Sequence, residues 1–187
     1  HGFQDSGGGR PSSTDDNVTL GTWPAIAAAS FARLAPGEQI AVAVDWSKGA
    51  SKLLHYASAM STARVVGLYI ARLLGTLKDM FGAVKTWCVG HSLGAHACGL
   101  GGKYAQQLGL QTWDVISGLD PAGPSVTFLR TVGPSFVEPS FAGARLSPGD
   151  ASFTEVFYSD WGGLGFHSVL AGCIRPQHRY HWWNFHD

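Results

Sequence analysis

One serine of this sequence stands in a pattern that is typical of a hydrolytic nucleophile. It is Ser92, in the pentapeptide Gly90-His91-Ser92-Leu93-Gly94. A β-prone apolar run precedes the pentapeptide and a run dense in Ala, Leu, Gly and Gln follows it, which predicts a strand, a sharp turn and a helix. The glycines are needed because a Cβ would collide with neighbouring backbone. The pattern predicts a serine hydrolase, and the alternative is a surface serine flanked by glycines.

A serine hydroxyl is a weak nucleophile near neutral pH, so a histidine base and a carboxylate that orients it must come from elsewhere in the chain. Asp120 ends the strand pattern of residues 113–120, and Pro121 stops that strand. The carboxyl end of a parallel strand lies at the same sheet edge as the end of the strand before Ser92. Asp120 is therefore the predicted acid, and the alternative is a turn-forming aspartate before proline.

The developing oxyanion also needs backbone donors. Leu93 directly follows the predicted nucleophile at the start of a helix, where its N–H has no intrahelical acceptor. We expect this N–H to point at the negative charge that forms during acyl transfer.

Several segments, in one order along the chain, resemble the pancreatic lipase family of secreted neutral lipases, phospholipases A1 and insect yolk proteins. They are residues 1–3, 44–50, 64–67, 89–96, 118–124 and 145–153. The resemblance implies an α/β-hydrolase fold, with Ser92 as nucleophile and Asp120 as acid. It also implies that the N–H groups of Phe3 and Leu93 form the oxyanion hole.

The histidine base is predicted at His178, in the segment Pro176-Gln177-His178-Arg179-Tyr180. The segment resembles the one that carries the base in the family, with a proline where the family has cysteine and one residue fewer after the histidine. His167 and His181 remain alternatives. His91 and His96 flank the elbow and are expected to be packed or hydrogen-bonded structural groups, because the base must approach Ser92 from another loop.

The substrate prediction comes from the short spacing before His178. Only four residues separate Cys173 from His178, which leaves no room for the lid that lipases carry there. The resemblance implies that such lidless members hydrolyse phospholipids or short esters rather than bulky triglycerides, without a cofactor. An inactive storage or ligand-binding protein on the same scaffold is the alternative. A metal site at His1, or at His178, His181 and His186, is a weaker one because no Cys or carboxylate cluster supports it.

Composition limits the class of protein. The 187 residues predict a single domain, 1–187, with 45% hydrophobic residues. Thirteen basic and 13 acidic residues give no net charge, so neither nucleic-acid binding nor a polybasic membrane patch is expected. The sequon at Asn17, together with the resemblance, favours a secreted protein. Trp161, Trp182 and Trp183 flank the predicted catalytic loops, and we consider a lipid-facing rim there against plain packing.

The elements that position these residues alternate along the chain. We predict helices over residues 21–34, 51–81 and 93–108 and strands over 39–45, 84–89, 113–120 and 153–158. This order predicts an α/β fold, an α/β-hydrolase-like, mostly parallel sheet with helices on both faces.

The family's additional strands before residue 1 and after His178 have no counterpart in the sequence. We therefore expect either a smaller sheet, truncated at both ends, or a processed piece of a longer protein. Open sheet edges favour an oligomer or a partner chain that completes the sheet. Three cysteines are present, so at least one has no partner within the chain, and Cys88 and Cys98 are expected to be buried free thiols.

Overall fold

The computed structural model describes residues 2, 23–34, 36–50, 56–82, 84–122 and 143–157. The elements follow the chain in an alternating order of helices and strands. They are helices α1 (Trp23–Leu34), α2 (Ser47–Ala50) and α3 (Tyr56–Phe81), strand β1 (Trp87–His91), helix α4 (Leu93–Gln107), strand β2 (Trp113–Leu119), a 3-10 turn (Pro148–Asp150) and strand β3 (Ala151–Phe157).

The three strands form one parallel sheet in the order β1-β2-β3. His91 is the register partner of Leu119, and Leu119 is the partner of Phe157, so the carboxyl ends of all three strands meet at one edge. The predicted helix 93–108 and strands 113–120 and 153–158 agree with α4, β2 and β3 to within two residues. The strand before the elbow spans residues 87–91 rather than 84–89. The predicted α/β fold with a parallel sheet is confirmed.

Helix α4 covers one face of this sheet, and α3 packs on its outer side. Ile116 of β2 and Ala95 and Cys98 of α4 belong to one buried cluster. The two helices approach closely at Gly67, where an added Cβ would lie 2.6 Å from the Cβ of Leu100. Glycine at position 67 therefore sets the depth of α3–α4 packing.

Helix α1 reaches the opposite face of the sheet. Its Phe31 ring stacks edge-on against Trp87, with ring centroids 5.3 Å apart. The next residue, Cys88, is bonded to Cys98 of α4 and so points toward that helix. Because neighbouring residues of a strand point to opposite faces, Trp87 points to the face that α4 does not cover. Helices thus lie on both faces, as predicted.

Helix α3 is the longest helix of the described part, with 26 residues. Its inner side carries buried apolar residues such as Val66 and Ile70, whereas Tyr69 on its outer side is exposed. Charged side chains interrupt its apolar residues. Within the described ranges, no helix has the length and apolar character that a membrane span requires.

The prediction of a strand over residues 39–45 is wrong. These residues have no strand pairing, and Ile40 and Val42 are exposed by 63% and 52%. Residues of this segment and Trp87 and Val89 of β1 all line a cavity of about 780 Å³. Strands pair only at a separation of about 4.8 Å, and this segment lines a cavity with β1 instead of pairing with it. The prediction of an oligomer or partner chain stays a prediction.

Cys88 and Cys98 form a disulfide, so the expectation of free thiols at these positions is wrong. Their Cα atoms are 6.0 Å apart, a separation that suits a disulfide. The first turns of α4 fold back over β1 after the elbow, and this brings the two cysteines together across ten residues of sequence. Cys173 lies outside the described residues.

Candidate active site

Ser92 occupies the sharp turn between β1 and α4. Its φ of 54° and ψ of −120° are rarely adopted by a residue with a side chain. The turn is so tight that a Cβ on Gly90 would lie 2.5 Å from the carbonyl carbon of Gly94 and 2.6 Å from the nitrogen of Ala95. Such strain persists only where the surrounding structure holds it, and it is common at functional sites. The residues therefore form the elbow that the sequence predicts.

Asp120 follows directly after β2 and is the other non-glycine residue of the described part with a positive φ, at 40°. Its N–H donates to the carbonyl of Phe157 at 2.7 Å. The N–H of Ser92 donates to the carbonyl of Leu119 at 2.9 Å. These bonds continue the sheet pairing one step beyond β1 and β2, so Ser92 and Asp120 lie at neighbouring strand ends of the same edge.

The amino-terminal His-Gly-Phe segment meets the elbow at Gly2. A Cβ on Gly2 would lie 2.7 Å from the Cβ of Ser92 and 3.2 Å from its Oγ. The backbone at Gly2 is therefore in contact range of the predicted nucleophile. Leu93, the first residue of α4, is 1% exposed on the other side of the same serine. Phe3, the second predicted oxyanion donor, lies outside the described residues.

His96 lies one helical turn after Ser92 and is 3% exposed. Its Nε2 is 2.8 Å from the carbonyl of Ala122, and its Nδ1 accepts the N–H of Leu146 at 3.0 Å. Because a carbonyl can only accept, Nε2 carries the proton and the ring is neutral. Burial lowers the pKa of His96 to about 4, against the hydrogen bond to Ala122. The expectation that His96 is a hydrogen-bonded structural group is confirmed.

A partly buried ion pair anchors the turn before β3 to α4. The Nζ of Lys103 donates to Asp150 Oδ1 and Oδ2 at 2.6 and 2.5 Å and to the carbonyl of Arg145 at 2.8 Å. Asp150 Oδ2 also accepts the N–H of Ser147 at 2.7 Å, which completes a capping box. Burial raises the pKa of Asp150, and the Lys103 ammonium opposes that rise.

Sequence reasoning did not identify this anchor. Its only local signal is the Ser147-Pro148-Gly149-Asp150 turn, in which a serine precedes an acidic residue by three positions. The partner lysine is 47 residues away from Asp150, and a local pattern does not pair residues at that distance.

Comparison with known proteins shows the family to which the chain belongs. The family described as Lipase matches residues 1–171. The chain belongs to the lipase family. Its relatives include "Phospholipase A1 VesT1.02" of Vespa tropica, 39% identical over 107 residues, which is 52% of this chain and 36% of the relative. A "Phospholipase A1" of Vespa crabro is 40% identical over 103 residues, 50% of this chain and 34% of the relative.

A third relative extends the match along this lipase-family chain. "Phospholipase A1 4" of Polistes dominula is 34% identical over 129 residues, or 64% of the chain and 37% of the relative. The chain thus aligns with only about a third of the length of each of these wasp proteins. The resemblance to the pancreatic lipase family that the sequence motifs indicate is confirmed.

The remaining predicted residues of this lipase-family chain are not part of the described structure. His178 and its alternatives His167 and His181 lie outside the described residues, as do the three tryptophans of the suggested lipid-facing rim and the sequon at Asn17. The histidine base therefore stays a prediction. Within the described ranges, no three His, Cys, Asp or Glu residues are grouped as a metal site would need.

Proposed function

We propose that this chain hydrolyses carboxylic esters of lipids through an acyl-enzyme intermediate. Ser92 is the nucleophile, Asp120 the acid and His178 the base. One observation carries the proposal: Ser92 has the strained backbone of a nucleophile elbow, and Asp120 stands at the neighbouring strand end of the same sheet edge. The phospholipase A1 names of the relatives support lipid esters as the substrate class.

The chemistry follows from the roles of these residues. Ser92 Oγ attacks the ester carbonyl carbon while its proton passes to His178. The carbonyl oxygen becomes negatively charged, and the N–H groups of Leu93 and Phe3 stabilise it; one such donor contributes about 3 to 4 kcal/mol to the transition state. Collapse of the intermediate expels the alcohol, which takes the proton from His178. Water then attacks the acyl carbon and gives a proton to His178; the second intermediate collapses, the bond to Ser92 Oγ breaks, and Oγ takes the proton back as the fatty acid leaves. Asp120 orients the imidazole throughout.

The substrate is proposed to be a phospholipid or a short-chain ester rather than a triglyceride. The four-residue spacing between Cys173 and His178 supports this, because it does not accommodate a lid that supplies an apolar docking surface. A secreted location is part of the proposal. The Cys88–Cys98 disulfide supports it, since disulfides persist mainly in oxidising compartments.

A fluorescent phosphonate that labels serine hydrolases tests the proposal. The purified chain is treated with the probe, and the labelled peptide is identified by mass. We expect label on Ser92 that is lost in Ser92→Ala and reduced in Asp120→Asn and His178→Ala. Ser61→Ala is the matched control, because Ser61 is an exposed serine of α3.

A second assay identifies the ester. Liposomes of a phosphatidylcholine with different acyl chains at its two positions are treated with the wild-type chain and with Ser92→Ala. We expect release of the sn-1 fatty acid by the wild type alone. A folded wild-type chain that takes no label and releases no fatty acid would reject the proposal in favour of a non-catalytic binding protein.

A further inference from the structure

One buried histidine connects the nucleophile's helix to the turn after β2 and to the loop before β3. His96 lies on the first turn of α4, four residues after Ser92. Its ring bonds to the carbonyl of Ala122, two residues after Asp120, and to the N–H of Leu146, in the loop before β3. These loops come from positions 26 and 50 residues further along the chain. A single side chain thus joins the nucleophile's helix, the turn that carries Asp120 and the loop before β3.

We propose that His96 is a positioning residue, which holds the Asp120 turn at a fixed place relative to Ser92. The turn needs support because Asp120 has a φ of 40°, a conformation that is strained in a residue with a side chain. Upstream, the N–H of Asp120 is held by Phe157. Downstream, the Ala122 carbonyl is held by His96. The role in catalysis rests on the proposed hydrolase function.

The chemistry of the imidazole explains why a histidine suits this position. A neutral ring offers one donor and one acceptor on opposite sides, which fits a carbonyl on one side and an N–H on the other. The charged groups near it are Lys103 and Arg145, and Asp150 pairs with Lys103. Two positive charges and burial keep the ring neutral, so both hydrogen bonds persist at neutral pH.

Two amide variants separate the two bonds. In His96→Gln, the amide nitrogen reaches the position of Nε2 and can still donate to Ala122, but no acceptor remains for Leu146. In His96→Asn, the oxygen takes the place of Nδ1 and the donor to Ala122 is lost. Deuterium uptake of residues 117–122 and 143–147 is measured in both, together with the rate of phosphonate labelling and with kcat and KM on a short-chain ester.

We expect His96→Asn to speed exchange in residues 117–122 at least tenfold and to lower kcat on the order of 100-fold with KM unchanged, because small misplacements of a catalytic group cost about that much. His96→Gln should speed exchange only in residues 143–147 and keep kcat within about threefold. Gln106→Ala is the control. It removes a hydrogen bond from the same helix to Gly149, away from Asp120. The exchange rate of residues 117–122 and kcat should both stay unchanged.

The exchange measurement does not depend on activity. If the wild type takes no phosphonate label but the two variants differ as described, the hydrolase proposal fails and the positioning of the turn stands. Equal exchange of residues 117–122 in the Asn and Gln variants would overturn the inference. If His96→Asn does not fold, His96→Gln still tests the inference. The Gln variant keeps the bond to Ala122, so faster exchange of its residues 117–122 would contradict the role of that bond.

Discussion

The disulfide between Cys88 and Cys98 encloses Ser92. Cys88 belongs to the strand that enters the elbow and Cys98 to the helix that leaves it. The covalent link therefore closes a short loop whose tip is the predicted nucleophile. This link and the hydrogen bond from the Ser92 N–H to the Leu119 carbonyl both hold the strained backbone of Ser92 in place.

Replacing both cysteines by serine should destabilise the chain by about 3 kcal/mol. This follows from the closure of a loop over a separation of ten residues, which restricts the unfolded chain. The midpoint of urea unfolding measures the effect. An unchanged midpoint would mean that the link adds nothing to stability.

Gly90→Ala should cost more than about 2 kcal/mol of unfolding free energy, because its Cβ would overlap the backbone of Gly94 and Ala95. The same change should abolish phosphonate labelling of Ser92. Gly149→Ala is the matched control: an added Cβ there meets nothing within 4 Å, so the expected change is below about 0.5 kcal/mol. Thermal unfolding and phosphonate labelling are measured for both variants. An equal loss of unfolding free energy in Gly90→Ala and Gly149→Ala would contradict the tight geometry of the elbow.

Lys103→Met should destabilise the chain by about 3 to 5 kcal/mol, because it leaves the carboxylate of Asp150 buried without its partner. The double variant Lys103→Met with Asp150→Asn should recover part of this loss, since no uncompensated charge remains. Chemical denaturation of the single and double variants gives the comparison. A double variant that is less stable than Lys103→Met would show that the carboxylate matters for its hydrogen bonds to the loop rather than for its charge.

Stability should fall as the pH drops from about 6.5 to about 4. In this window the unfolded chain binds a proton at position 96 that the folded chain excludes, because the pKa of His96 is lowered to about 4. A higher pH therefore favours the folded state, by up to about 3 kcal/mol from this group. His96→Gln should flatten the slope of unfolding free energy against pH. If the unfolding free energy of His96→Gln depended on pH as steeply as that of the wild type, the pH dependence would come from other groups.

The sequence by itself determined the local features of the site. The glycines around Ser92 predict the elbow because the turn is made by consecutive residues, and the structure has it with the expected close approach at Gly90. Asp120 at the end of β2 follows from the same kind of local pattern, a β-prone run stopped by Pro121. The parallel sheet follows from the alternation of helices and strands, so most of the described fold, and the positions of two of the three predicted triad residues at one sheet edge, could be inferred from the sequence.

Only the tertiary structure decided which distant residues meet. The segment 39–45 has the composition of a strand but remains unpaired, because pairing depends on its distance from β1 and not on its own residues. The Cys88–Cys98 bond needs α4 to fold back over β1. The contacts of His96 with two loops and of Lys103 with Asp150 join residues 26 to 50 positions apart. Such contacts arise from the packing of whole elements, which a local pattern of residue types does not encode.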